Sequence, residues 1–159
     1  MFFALNSVAA QIEPDFQLIR WEWAGPIVRE DFRAAFEKLV TCSTAHGITR
    51  WLADISRMPP VGIDEQAWLS EMWMEQFAAA GIQAVAVIEP IALHNQLVVE
   101  SILADGRRYI RVEIQFFSDI PAALDWLAGS DQQAQQLEAR WEQNKAQDKW
   151  GGPHPSLPE

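Results

Sequence analysis

The chain has 159 residues, 49% of them apolar, with eight tryptophans. That length suits one domain with a full core, and the apolar and aromatic content excludes a disordered chain. The formal charge is −10, from 12 basic and 22 acidic side chains, which makes nucleic acid and anionic membranes poor partners and leaves basic partners, neutral ligands or self-association.

Cys42 is the only cysteine, so a disulfide scaffold is excluded. The first residues, Met1-Phe2-Phe3-Ala4-Leu5, lack a basic start and are too short an apolar run for a signal peptide. No stretch approaches the ~20 apolar residues of a membrane span. The expected location is cytoplasmic.

In chain order, residues 2–9 read as a strand, Glu13-Pro14-Asp15 as a turn, and residues 16–24 as a second, antiparallel strand. In that second strand Phe16, Leu18, Arg20 and Glu22 alternate with Ile19, Trp21 and Trp23, as a sheet with two different faces requires. Residues 29–46 carry Phe32, Ala35, Phe36, Leu39, Val40 and Ser43 at helical spacing, with Gly47 placed to close the helix. Residues 49–56 form a mostly apolar strand, and Met58-Pro59-Pro60-Val61-Gly62 a loop.

Residues 64–80 predict a second helix with Asp64 as N-cap and Gly81 as its stop, followed by a strand at 82–88. A third helix spans 93–104, with Leu93, Leu97 and Ile102 facing inward. Residues 109–117 form the last strand, and Ser118-Asp119 cap a short helix at 120–127. Strands alternating with helices call for a mostly parallel sheet of about five strands, with an antiparallel edge strand and right-handed crossovers.

After Gly129 the chain is Gln-rich. Ser130 and Gln133 make a capping box, and Ala134, Leu137 and Trp141 form a narrow apolar seam. Residues 1–128 therefore read as one α/β domain. Residues 129–159 read as a helical appendage ending in a proline-rich, loose tail.

Four landmarks now stand together: Trp51-Leu52-Ala53-Asp54; Gln66-Ala67-Trp68-Leu69; Ala80-Gly81-Ile82-Gln83-Ala84-Val85-Ala86-Val87; and residues 116–127, F-F-S-D-I-P-A-A-L-D-W-L. Together they resemble the bacterial SpoIIAA-like proteins of the STAS superfamily over residues 2–128. The resemblance implies a STAS-type fold and a domain that binds proteins or small ligands without catalysing a reaction. In the sporulation relatives, phosphorylation of a serine opening the helix after the Asp-ended strand acts as a switch. Here that stretch is Pro60-Val61-Gly62-Ile63-Asp64-Glu65, with no hydroxyl, so the switch is not expected.

Asp54, Ser56, Arg57, Glu89, Ser118 and Asp119 are expected along the carboxyl rim of the sheet, where α/β folds bind ligands. The alternative is purely local: Asp54 bonding loop N–H groups or Arg57, and Ser118-Asp119 capping a helix. His46, His94 and His154 have no zinc-helix spacing, there is no Cys-x-x-Cys, and Cys42 sits beside an apolar stripe, so no metal site or thiol nucleophile is expected. No cofactor motif is present.

The second helix carries more apolar surface than one sheet contact needs. Trp68, Leu69, Met72, Trp73 and Phe77 fill about half a helical wheel, with Met74 on the other side. One reading is a deep core. Another is a partner surface of Trp68, Met72, Trp73, Met74 and Phe77, with homodimerisation as its commonest form. A third is a pocket for an apolar small molecule or lipid between helices. Trp21 and Trp23 share one strand face and form either a core pair or part of that interface. The expectation is a non-catalytic interaction or regulatory domain that self-associates through the second helix, with the carrier as alternative.

Overall fold

Six strands lie side by side in chain order in a computed structural model, which describes residues 1–107 and 110–146. They are β1 (Phe2–Leu5), β2 (Val8–Glu13), β3 (Leu18–Trp23), β4 (Arg50–Asp54), β5 (Ala84–Ile88) and β6 (Glu113–Phe117). β1, β2 and β3 pair antiparallel, and β3 to β6 run parallel.

The sheet thus has one more strand than the sequence reading assigned. Residues 2–9 do not form one strand; the chain reverses at Asn6, which adopts φ 48°. Asparagine tolerates that left-handed conformation, so the hairpin closes without glycine. Pro14–Phe16 form a 3₁₀ turn between β2 and β3. The last strand begins at Glu113; Tyr109, its expected start, and residues 151–159 of the tail lie outside the described residues.

Alternation along the strands separates two cores. Ile19, Trp21, Trp23, Trp51, Ala53, Val85 and Val87 face α1 (Arg29–Ala45), the second helix and α4 (Leu93–Gly106). Leu18, Leu52, Ala86 and Ile88 face α5 (Ile120–Leu127) and α6 (Asp131–Ala146). Trp21 and Trp23 are buried in the first core; Trp21 packs edge-on against Trp51 at 5.9 Å and against Phe36 at 5.7 Å. Gly47 and Gly81 close their helices at φ 64° and 85°, where a Cβ would be strained.

The second helix is three consecutive segments: α2 (Ile63–Trp68), a π turn (Leu69–Trp73) and α3 (Met74–Ala78). Its N-cap is Gly62, not Asp64. Asp64 lies in the first turn and pairs with Arg29 at 3.0 Å. In α4 the inward residues are Asn95, Val98, Ile102 and Gly106, while Leu93 and Leu97 are exposed. This corrects the expected inward face at Leu93 and Leu97; the apolar residues of α4 fall on several sides of the helix, so periodicity alone does not choose the buried one.

On the second sheet face, α6 buries Ala134, Leu137 and Trp141. It also covers charged strand residues. Arg20 pairs with Glu138 and lies 4.3 Å over the Trp141 ring, Glu13 pairs with Arg140 at 2.6 Å, and Glu22 with Lys145 at 3.1 Å. At the amino end of β4, Arg50 donates to the carbonyls of Phe16 and Leu127. Burial pushes its pKa below the ordinary guanidinium value.

Candidate functional site: the carboxyl rim and its apolar neighbours

Parallel strands in register bring their carboxyl ends to one edge: Glu22 faces Asp54, Asp54 faces Ile88, and Ile88 faces Phe117. The rim residues stand there, each engaged locally. Asp54 Oδ1 accepts from the Ser56 N–H at 3.1 Å and from its hydroxyl at 2.6 Å. Arg57 reaches Glu22 at 3.6 Å rather than Asp54. Glu89 follows β5 and donates its N–H to Phe117 at 2.9 Å. Asp119 Oδ1 accepts from the Ala122 N–H at 2.9 Å, capping α5. The bonds of Asp54 and Asp119 are those that turn and cap chemistry predicts, while Arg57 makes an ion pair and Glu89 a backbone bond between strand ends.

The second helix turns most of its large side chains inward. Trp68, Leu69, Trp73, Met74 and Phe77 are buried, while Met72 and the first residue, Ile63, are exposed. Two features account for this. The π turn inserts one residue and rotates the rest of the helix by about 100°, so Met74 reaches the core with Trp73. The helix also packs on more than the sheet. Trp68 meets Phe32 of α1 at 6.3 Å, Trp73 meets Phe36 of α1 at 5.2 Å, and Phe77 meets Trp51 at 5.2 Å. On the other side Met74 lies against Gly106 of α4, with Cγ 3.0 Å from where a Cβ would stand. Of the five residues expected to form a partner surface, Met72 alone is presented.

Other exposed apolar side chains stand at the start of this helix and around the start of α4: Ile63 is 85% exposed, Ile91 79% and Leu93 66%, and Leu97 on α4 is exposed too. Asn95 brings their segments together. Its Oδ1 accepts from the Val61 N–H, and its Nδ2 donates to the carbonyls of Met58 and Pro59, all at 2.9 Å. His94 Nε2 donates to the Val61 carbonyl at 2.8 Å. Ile91 N–H reaches back to Ser56 at 3.3 Å. The loop after β4, the start of α2 and the first turn of α4 are thereby fastened at one end of the sheet.

Behind this cluster lies an apolar cavity of about 120 Å³ between the sheet, the second helix and α4. Trp21, Phe36, Trp51, Trp73, Phe77 and Val98 are among its walls. The indole N–H of Trp21 is buried and has no partner among the described residues. No described helix is long and apolar enough to cross a membrane. Among the described residues no group of three or more His, Cys, Asp or Glu side chains is placed to hold a metal ion.

A family model described as SpoIIAA-like matches residues 18–128. The chain belongs to the SpoIIAA-like family. No curated protein and no solved structure matches it. The SpoIIAA-like match begins at β3 and ends after α5, so β1, β2 and α6 lie outside it. Domains of this kind commonly mediate protein interactions.

Asn95 is the residue of this site that sequence reasoning missed. It is 1% exposed, and it shares the spacing i, i+3, i+7 with Val98 and Ile102. A polar side chain in register with a core stripe was the available signal, since burial demands that such a group be hydrogen-bonded.

Proposed function

We propose that this chain is a non-catalytic protein-interaction module whose partner docks at the carboxyl end of the sheet, against Ile63, Ile91, Leu93 and Leu97. The observation that carries this reading is the exposure of four large apolar side chains on segments that Asn95 and His94 hold together. A protein partner gains by burying them, and the polar groups of the rim suit the edge of such a contact. Asp54, Ser56, Arg57, Glu89 and Asp119 then serve as its rim rather than as a catalytic set. The same reading includes self-association. On the second helix Met72 and Ile63 are the exposed large apolar side chains.

The test is quantitative affinity capture from the source cells with the native chain and with the double variant Leu93→Glu/Leu97→Glu. A protein held by the native chain and lost by the folded double variant supports the reading. Equal capture by both overturns it.

A second reading has its own observation. The apolar cavity suits a small apolar ligand, and one of its lining residues, Trp21, has a buried N–H with no partner among the described residues. A cavity of this size is comparable to engineered ones of about 150 Å³ that take up benzene or xenon. Native mass spectrometry of freshly purified protein should show a copurified small molecule. A mass equal to the bare chain in every preparation overturns the carrier reading.

A further inference from the structure

β6 is the last strand on the parallel side of the sheet. Among the described residues β6 has a sheet partner on one side only, β5. Glu113 donates its N–H to Gln83 at 3.0 Å, and Phe117 accepts from the Glu89 N–H at 2.9 Å. These two residues therefore turn their backbone polar groups toward β5. Such groups alternate sides along a strand, so Ile114 and Phe116 turn theirs to the open edge.

Of the usual guards of an edge, β6 itself carries one charged side chain, Glu113. The strand Glu113-Ile114-Gln115-Phe116-Phe117 has no proline and no lysine, the residues that ordinarily guard an edge. α5 leaves the strand by folding back over the sheet, with Ala123, Leu124 and Leu127 packed on Leu52, Ala86 and Ile88. On the opposite sheet face Ile114 and Phe116 line an open groove of about 330 Å³ with Leu103, Arg107, Ile110 and Val112. Phe116 is 40% exposed. At the other end of the sheet β1 has only four residues, and Trp141 and Lys38 lie against Phe2 and Phe3.

We propose that two copies join β6 to β6 antiparallel about Gln115, extending one sheet through both. It rests on the reading of the chain as self-associating and assigns the surface. In this register Ile114 lies opposite Phe116 of the second copy. These are the residues whose N–H and C=O face outward, so each such pair exchanges both of its backbone bonds. Their side chains meet on the groove side as apolar cross-strand neighbours. Gln115 meets Gln115 across the axis, and Glu113 meets Phe117, so no like charges oppose one another. Continued outward, the register sets Arg111 across from Asp119 of the second copy. Asp119 has an extended backbone, φ −147° and ψ 161°, and uses Oδ1 to cap α5; a carboxylate accepts further bonds. The charge complementarity is that of the chain with itself, which selects a second copy over a foreign strand.

The test is the mass of the full chain in solution by sedimentation equilibrium, with three variants. The native chain should be a dimer. Phe116→Lys should raise the dimer dissociation constant about 10-fold or more, since it removes both apolar cross-strand pairs and guards the edge. Arg111→Glu, which sets carboxylate against carboxylate, should weaken the dimer more at low salt than at high. Both positions are exposed, and a native unfolding transition confirms that each variant is folded. Gln115→Cys in a Cys42→Ala background should form a disulfide-linked dimer on mild oxidation, because residues facing across such an axis have Cα atoms about 4.5 Å apart. Glu113→Cys, offset from its own copy by roughly 13 Å, should not. A monomeric native chain overturns both the pairing and the self-association reading. A dimer that ignores Phe116→Lys and Arg111→Glu and is not linked through Gln115→Cys overturns this edge alone.

Discussion

The indole N–H of Trp73 donates to the carbonyl of Phe36 at 2.8 Å, and the two rings meet edge to face at 5.2 Å. One side chain thus ties the π turn of the second helix to the middle of α1. Trp73 is a structural bolt. Trp73→Phe keeps the ring and loses the bond, at a cost of about 1 kcal/mol. Trp73→Ala leaves a cavity and costs about 3–5 kcal/mol. Trp73→Glu places an unpaired carboxylate in the core and should prevent folding. Denaturant unfolding of the three variants checks the order. A Trp73→Glu protein as stable as the native chain would show that this side chain is a surface residue after all.

The helix on the second sheet face makes an asymmetric prediction. Arg20 is 9% exposed in its side chain and Glu138 41%. Removing Glu138 leaves a nearly buried guanidinium with the Trp141 ring as its remaining support; removing Arg20 leaves a carboxylate that water reaches. Glu138→Ala should therefore cost about 1–3 kcal/mol, and Arg20→Met, which keeps contact with Trp141, close to nothing. Thermal unfolding of both variants at one salt concentration measures the difference.

The two-faced pattern of β3 was legible because alternation acts residue by residue. Ile19, Trp21 and Trp23 against Leu18, Arg20 and Glu22 can be satisfied only by a sheet with an apolar side and a covered polar side. The hairpin at Asn6-Ser7 was not legible, since residues 2–13 contain no glycine or proline before Pro14, and only the left-handed Asn6 marks the reversal. The π turn has no sequence signature. A helical wheel assumes uniform rotation, so it placed Met74 away from the core. The exposed Leu93 and Leu97 were read inward for a related reason: α4 is apolar on several sides, and neighbours rather than periodicity choose which side is buried. The rim was legible as a place, because strand ends converge by topology. Its partner face was not, because that depends on the clamp made by Asn95.

Asn95 supplies the next prediction. Asn95→Leu conserves approximate volume and removes all three bonds to the 58–61 loop, leaving the Val61 N–H buried without an acceptor. The cost should be about 2–4 kcal/mol, more than one ordinary hydrogen bond. Asn95→Asp retains the acceptor for Val61 and loses the donor to Met58 and Pro59. Hydrogen exchange should show faster opening of residues 58–62 in both, with the Val61 amide faster in Asn95→Leu than in Asn95→Asp. Unchanged exchange at Val61 in Asn95→Leu would mean that the loop does not depend on this clamp.

The cavity behind the clamp separates packing from binding. Val98 lines it and is 5% exposed, so an added methylene points into available space rather than into a neighbour's volume. Val98→Leu should raise stability by up to about 1 kcal/mol, as cavity-filling changes do. Overpacking would instead cost about 1–3 kcal/mol, so the sign of the change reports whether the space can accept an atom. Ligand uptake supplies a second, independent readout. Binding to the folded state alone raises the thermal midpoint with ligand concentration, so saturating benzene should raise it in the native chain and have a smaller effect on Val98→Leu. Trp21 adds an orientation test. A phenol places a hydroxyl oxygen where benzene has none, and that oxygen can accept from the Trp21 N–H, which has no protein partner among the described residues. Phenol should therefore shift the midpoint more than benzene at equal occupancy of the solution, and Trp21→Phe should remove the difference between the two ligands while leaving the benzene effect in place. Equal shifts for both ligands in the native chain would mean that the Trp21 N–H does not meet the ligand.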